Sequence, residues 1–306
     1  MGVLQKKQLQ KIRRYFMYTS KKFSYTYDDY EDGNKDATTM LEEIMKDSEL
    51  SNLEEIVIGC WGECWDAQED GVQVLIDGMI ANKEKFSHIK SLFVGDMDFD
   101  ECEVSWIIQA DYSKLWEAMP QLEKLVIKGS TGLELGEIKH ASLQHLEIIC
   151  GGLPKEVIGA IEKAKLPSLE TLLLYIGIED YGFDGDINTI KDLLEKSDFP
   201  KLSYLGITDS EIQDEITEAV LESKYISQID TLDLSMGSLT DKGGQLLLEK
   251  LPVYKNIKAL NLEYHFMSDE MMDKLDKLDD VDVNMPDQQE ADEYDGEVYY
   301  YPMLTE

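Results

Sequence analysis

The chain has 306 residues, of which 63 are Asp or Glu and 29 are Lys or Arg, for a formal net charge of −34. A surface this acidic repels polyanions, which argues against nucleic acid as a partner, and it attracts basic regions of other proteins. Hydrophobic residues make up an ordinary globular share, 43%, and no apolar run reaches the roughly 18 residues of a membrane-spanning helix. Four cysteines (Cys60, Cys64, Cys102, Cys150) and the lack of an apolar leader predict a reducing, cytoplasmic setting rather than a disulfide-built secreted protein.

Residues 1–52 read as a basic N-terminal arm and capping unit. Lys6, Lys7, Lys11, Arg13, Arg14, Lys21 and Lys22 stand there before any acid, and Leu4, Leu9, Ile12 and Phe16 share one helical face. Such a helix packs on the protein, stays a loose arm or binds elsewhere, a membrane surface included. After it, Lys22–Tyr27 alternates like a strand, 28–35 is turn-like, and Ala37–Met45 has helical spacing.

From Leu53 the pattern apolar-x-x-apolar-x-apolar recurs nine times, at Leu53/Ile56/Ile58, Ile89/Leu92/Val94, Leu122/Leu125/Ile127, Leu143/Leu146/Ile148, Leu169/Leu172/Leu174, Leu202/Leu205/Ile207, Ile229/Leu232/Leu234, Ile257/Leu260/Leu262 and Leu278/Val281/Val283. The eight intervals average about 28 residues, within the 20–29 of leucine-rich repeats. Each pattern ends in the alternation of a strand with one buried face. Helical spacing follows at 72–86, 105–119, 155–164, 187–196, 214–222, 242–250 and 269–278. The expected fold is therefore α/β: a right-handed solenoid of about nine leucine-rich repeats over 53–285, with parallel strands on a concave face and helices on the convex one. Residues 286–306 form an acidic, Tyr-rich C-terminal tail.

The run Leu232-Asp-Leu-Ser-Met-Gly-Ser-Leu-Thr-Asp-Lys-Gly243 resembles the ribonuclease-inhibitor-like class of leucine-rich repeats. More narrowly, Trp61-Gly-Glu-Cys-Trp65, Glu101-Cys-Glu-Val-Ser-Trp-Ile107, Gly151-Gly-Leu-Pro154, Asp209-Ser-Glu-Ile-Gln-Asp-Glu215 and Asp292-Glu-Tyr-Asp-Gly-Glu297 make the chain look like a bacterial, cytoplasmic leucine-rich-repeat family without an established enzyme activity. The resemblance runs from about residue 20 to the end. It implies an architecture and a compartment, and it carries over no catalytic residue.

Chemistry-bearing motifs are sparse. All four tryptophans and three cysteines fall between residues 60 and 116, so the loops 60–70 and 96–106 are expected to emerge on one rim and touch. Cys60-x-x-x-Cys64 with Cys102 departs from zinc-site spacings, and no histidine is patterned beside it. Asp96-Met-Asp-Phe-Asp-Glu101 starts like a calcium loop but has Glu101 where glycine is needed and Ile107 where the acid is needed; Asp180-Tyr-Gly-Phe-Asp-Gly-Asp186 lacks that frame too. No phosphate cradle or nucleophile elbow is present, and with this many acids a carboxylate pair singles out nothing. The expectation is no catalytic residue, no metal and no cofactor. An enzyme or metal protein using these rim loops, or a membrane-surface or regulatory protein led by the basic arm, is the alternative.

The outward strand positions carry Val57, Phe93, Val126, Ile149, Leu173 and Tyr175 in the first five repeats, and mostly polar residues afterwards, with Tyr204, Asp233, Glu263 and Asp282 among them. An apolar patch turned to water marks an interaction surface, although strand propensity alone also favours such residues. The reading is a non-enzymatic protein–protein interaction module. Val57, Phe93, Val126, Leu173, Tyr175, Tyr204, Asp233, Glu263 and Asp282 on the concave face, with Trp61, Trp65 and Trp106 on the rim, are expected to meet a protein partner carrying a basic surface.

Overall fold

In Glu55–Ile58 every second side chain is buried, and the same period of two recurs in His145–Ile149 and in Thr171–Ile176. A computed structural model describes residues 18–66 and 71–304. It places β1 (Ser20–Phe23), β2 (Glu55–Ile58), β3 (Ser91–Val94), β4 (Lys124–Lys128), β5 (His145–Ile149), β6 (Thr171–Gly177), β7 (Tyr204–Ser210), β8 (Thr231–Asp233), β9 (Ala259–Asn261) and β10 (Asp282–Asn284) in one parallel sheet in chain order. Parallel neighbours need a crossover, and most crossovers here contain a helix. This is an α/β fold with a solenoid-like series of strand and helix.

Pairing sets Ile56, Leu92, Leu125, Leu146, Leu172, Leu205, Leu232 and Leu260 in one register row, each at most 1% exposed. Against this row pack the apolar faces of helices such as Ala37–Lys46, Val72–Ala81, Ile187–Lys196 and Gln213–Glu222, forming one continuous hydrophobic cluster. Helix starts are set by local chemistry. Asp36 accepts from the Thr39 amide at 2.7 Å, Asp186 from the amides of Asn188 and Thr189, and Ser268 from that of Met271.

Three segments differ from the sequence expectation. The strand expected over Lys22–Tyr27 occupies Ser20–Phe23 and joins the sheet beside β2, while Tyr27–Glu31 turns into a short helix. The single helix expected over 105–119 shrinks to Leu115–Ala118, because after a 3-10 turn at Val104–Trp106 the chain pairs sideways: the amides of Gln109 and Tyr112 bond the carbonyls of Thr131 and Glu134, each at 2.7 Å. The acidic tail holds an antiparallel hairpin, β11 (Asp292–Tyr294) and β12 (Glu297–Tyr299), turned by Asp295 and Gly296 at φ 53° and 79°, both left-handed as such a tight turn requires. The basic arm expected over residues 1–17 lies outside the described residues.

Two buried histidines join repeats in the same way. His140 accepts the Leu143 amide on Nδ1 at 3.0 Å and faces the Met119 carbonyl with Nε2 at 3.0 Å; His265 accepts the Met267 amide and faces Met285 O. Each ring is thus held neutral, with its proton on Nε2, and burial pushes both pKa values below the usual histidine range. On acidification the unfolded chain takes up these protons first, so stability should fall as pH drops below about 6.5. Urea midpoints at pH 7.5 and 5.5 should differ less for His140→Gln than for the parent chain. A second expectation concerns the leucine row: Leu232→Asp puts a charge where the parent residue is 0% exposed and should cost about 4 kcal/mol or more, seen as a large drop in melting temperature.

Candidate functional site

The alternation that buries the leucine row turns two other rows out on the opposite face of the sheet. One runs Lys22, Val57, Phe93, Val126, Glu147, Leu173, Gly206, Asp233, Asn261, Asn284; the other runs Ser20, Glu55, Ser91, Lys124, His145, Thr171, Tyr204, Thr231, Ala259, Asp282. Val57, Phe93, Leu173, Tyr175, Tyr204 and Glu263 are partly buried there, and Asp282 is exposed. The apolar members concentrate on β2, β3 and β6, with acids more frequent toward β10.

Two members of the expected surface are not presented to solvent. Val126 is 3% exposed, enclosed in its row between Phe93 and Glu147. Asp233 is 5% exposed, and both its oxygens are engaged. Its Oδ1 accepts from the Ser235 amide at 3.0 Å and from the Ser235 hydroxyl, and its Oδ2 from the Tyr204 hydroxyl. Burial beside this carboxylate pushes the Tyr204 phenol well above its usual pKa. Other polar side chains of the face are also fixed: Ser91 donates to Glu55 at 2.7 Å, and His145 Nε2 meets Glu147 at 2.9 Å. Burial, with Asp287 and Asp233 nearby, pushes the Glu263 carboxyl up.

On the rim, the loops after β2 and β3 meet through sulfur rather than through tryptophan. The Cys64 thiol neighbours those of both Cys60 and Cys102, and Cys60 Sγ reaches Gly62 O at 3.4 Å. The neighbouring Cys102 and Cys60 thiols, with burial added, push the Cys64 thiol up, whereas Cys64 pulls Cys60 and Cys102 down. The backbone joins the loops too, with the Ile108 amide on Cys64 O at 2.9 Å. Trp61, expected as a rim anchor, is instead 2% exposed and packs in the core. Trp65 turns away to Tyr30, ring centroids 6.1 Å apart, and is 40% exposed; Trp106 is 59% exposed. The three tryptophans therefore form no common aromatic cluster.

The acidic loop after β3 is tied to its neighbours. Asp96 pairs with Lys22 at 3.0 Å, Glu101 accepts the Asp98 amide at 2.8 Å, and Lys128 donates to Met97 O. Burial pushes the Lys128 ammonium below its usual pKa, partly offset by Asp96 and Asp98. Among the described residues no three His, Cys, Asp or Glu side chains converge to hold a metal ion, and no helix is long and apolar enough to cross a membrane.

One group escaped the sequence reading of sites, although Asp209 stood in a run already noted for its resemblance. Asp209, Met236, Tyr264 and Asp287 each lie four positions after the inner-row residue of their strand, and each adopts a left-handed backbone, φ 54°, 65°, 59° and 62°. Earlier repeats have glycine near this position, at Gly95, Gly129 and Gly177; at Gly177 a Cβ would lie 1.7 Å from Gly151 O. Nothing in residue type betrays a left-handed Met or Tyr, so only the backbone reveals this row.

The fold and face just described define an α/β solenoid-like protein with a fixed, partly apolar sheet surface. No family model matches the chain and no curated protein does. Among solved structures, a Bacteroides fragilis protein determined by the Northeast Structural Genomics Consortium is 38% identical over 99% of this chain and 84% of its own, with a TM-score of 0.84. The chain belongs to the same family as that protein.

The burial of the cysteines has a direct consequence. Cys60, Cys64, Cys102 and Cys150 are each at most 6% exposed, and burial pushes the Cys150 thiol up to about 12. A thiol reagent such as Ellman's should find essentially none of the four in the folded protein at pH 8 within minutes, and all of them after denaturation. Rapid native reaction at Cys60 or Cys102 would show that the rim loops open.

Proposed function

We propose that the chain is a leucine-rich-repeat solenoid with ribonuclease-inhibitor-like repeats that acts without catalysis, as a protein-binding module in the bacterial cytoplasm. The observation that supports this reading is the outward row holding Val57, Phe93 and Leu173 across β2, β3 and β6, with Tyr175 further along β6. These side chains stay partly exposed while the alternate row closes the core.

The partner is a protein with an apolar contact region flanked by basic residues. Apolar contact supplies the desolvation energy, and a net charge of −34 draws in a basic flank. Because Glu55, Glu147, Tyr204 and Asp233 are already held by hydrogen bonds within the face, little side-chain entropy is lost on association.

Affinity capture from a native bacterial lysate, repeated with Phe93→Ala and Tyr175→Ala, tests the reading. Both substitutions should raise the dissociation rate of the captured protein about tenfold or more. Glu263→Gln with Asp282→Asn should mainly slow association and flatten its salt dependence. If all four substitutions leave both rates unchanged in a folded protein, the sheet face is not the binding surface.

A further inference from the structure

The row of left-handed residues on the rim, at the end of β7 and after β8 and β9, holds the chain's own C-terminal segment. Asp209 Oδ1 accepts the Leu304 amide at 2.8 Å, Met236 O accepts the Met303 amide at 2.8 Å, and the Tyr264 hydroxyl donates to Tyr301 O at 3.0 Å. Between these bonds Pro302 is buried, and the Tyr300 ring meets Phe266 edge-on at 5.2 Å, with Tyr264 packed on Phe266 at 5.9 Å. Residues 300–304 thus cross three repeats with a bend at Met303, contacted through their backbone and one aromatic ring.

Two features distinguish this contact from ordinary tail packing. Non-glycine residues in the left-handed region are strained, and Met236 and Tyr264, whose amides bond the Glu263 and Pro286 carbonyls of the next repeat, adopt it on the side that meets the tail. Both present a hydrogen-bonding group to the tail. The Asp209 side chain is 0% exposed, its Oδ2 has no hydrogen-bond partner, and the side-chain bond it does make is to the tail amide. A buried carboxyl held in this way is built to receive a peptide N–H rather than to brace the repeat behind it.

We propose that Asp209, Met236, Tyr264 and Phe266 form a recognition site for a peptide with an aromatic residue followed, three and four positions on, by free backbone amides, and that Tyr300–Leu304 occupies it as a replaceable intramolecular ligand. The ligand class follows from the contacts: a ring for Phe266, a carbonyl for Tyr264, and amides for Met236 O and Asp209. Proline between ring and amides suits the site, because its missing N–H is not required there and its fixed φ restricts the chain between ring and amides. The site lies on the rim, and it stands or falls independently of the sheet-face reading.

Fluorescence anisotropy with a labelled peptide of residues 298–306 tests the proposal on the full-length chain. Tyr300→Ala combined with Leu304→Pro removes the ring and the N–H that Asp209 accepts, releasing the tail. The peptide should bind this variant at least about tenfold tighter than the parent chain, whose tethered tail competes at high effective concentration. Tyr264→Phe added to the released variant, or N-methylation of the peptide at Leu304, should weaken binding again. Equal affinity for parent and released chains would overturn the proposal, as would no binding to a released variant with an unchanged circular dichroism spectrum. If the released variant loses cooperative unfolding, the tail is a structural cap and the proposal fails. The N-methyl peptide supplies a control that does not depend on any variant folding: binding as tight as that of the unmodified peptide would also overturn it.

Discussion

The register of the parallel ladder is the constraint on which everything else rests. A parallel strand has hydrogen-bonding groups on both edges, so each repeat is satisfied only by its neighbours. The ladder extends beyond the strands: the amides of Lys90, Glu123, Gln144, Glu170, Ser203, Asp230 and Lys258 each bond the carbonyl one repeat back. With the row from Ile56 to Leu260 aligned by that ladder, the rows one residue away must face the other way. A slip of one residue in any strand would bring Phe93 or Leu173 inward and send leucine to water, which the core forbids. At the N-terminal edge, Lys21 and Lys22 lie on β1 and pair with Asp47 and Asp96, and such charges discourage further strand addition.

Legibility followed the chemistry of repetition. The inner positions were readable because burial demands an apolar residue at every turn of the solenoid, and each strand from β2 to β9 runs through its expected residue, Ile56 through Leu260. The final strand starts one residue after Val281, where the sheet ends. Where a repeat satisfied its backbone sideways, local reading failed: Ile107, Ala110 and Leu115 have helical spacing, yet pairing of Gln109 and Tyr112 with the next repeat keeps most of that segment out of an α-helix. On the functional side, alternation told which residues turn outward but not what covers them. Val126, Asp233 and Trp61 are buried by neighbours that no spacing rule names.

Hydrogen bonding within the sheet face alters what its acids can contribute. Glu55, Glu147 and Asp233 each accept from a neighbour in the same face, which fixes their positions and leaves fewer lone pairs for a partner. Their charge still adds to the field, but at physiological salt that field decays over about 8 Å. Under the proposed binding role, selection at contact would rest on shape and on the apolar members, while the acidic surround would act on encounter. In that role a face fixed in this way would discriminate by fit, because little of it can rearrange to accept a poor match.

The rim row carries the same logic to its limit. Glycine at Gly95, Gly129 and Gly177 makes the left-handed turn without penalty, whereas Asp209, Met236 and Tyr264 each bear a cost on the order of 1 kcal/mol for it. A hydrogen bond to the tail returns a net stabilisation of about 1 kcal/mol apiece. Besides these bonds, the buried Pro302 and the Tyr300 ring on Phe266 hold residues 300–304. Beneath the segment the core is closed by Leu205, Leu232 and Leu260, each at most 1% exposed, and residues 300–304 lie over that row without belonging to its hydrophobic cluster.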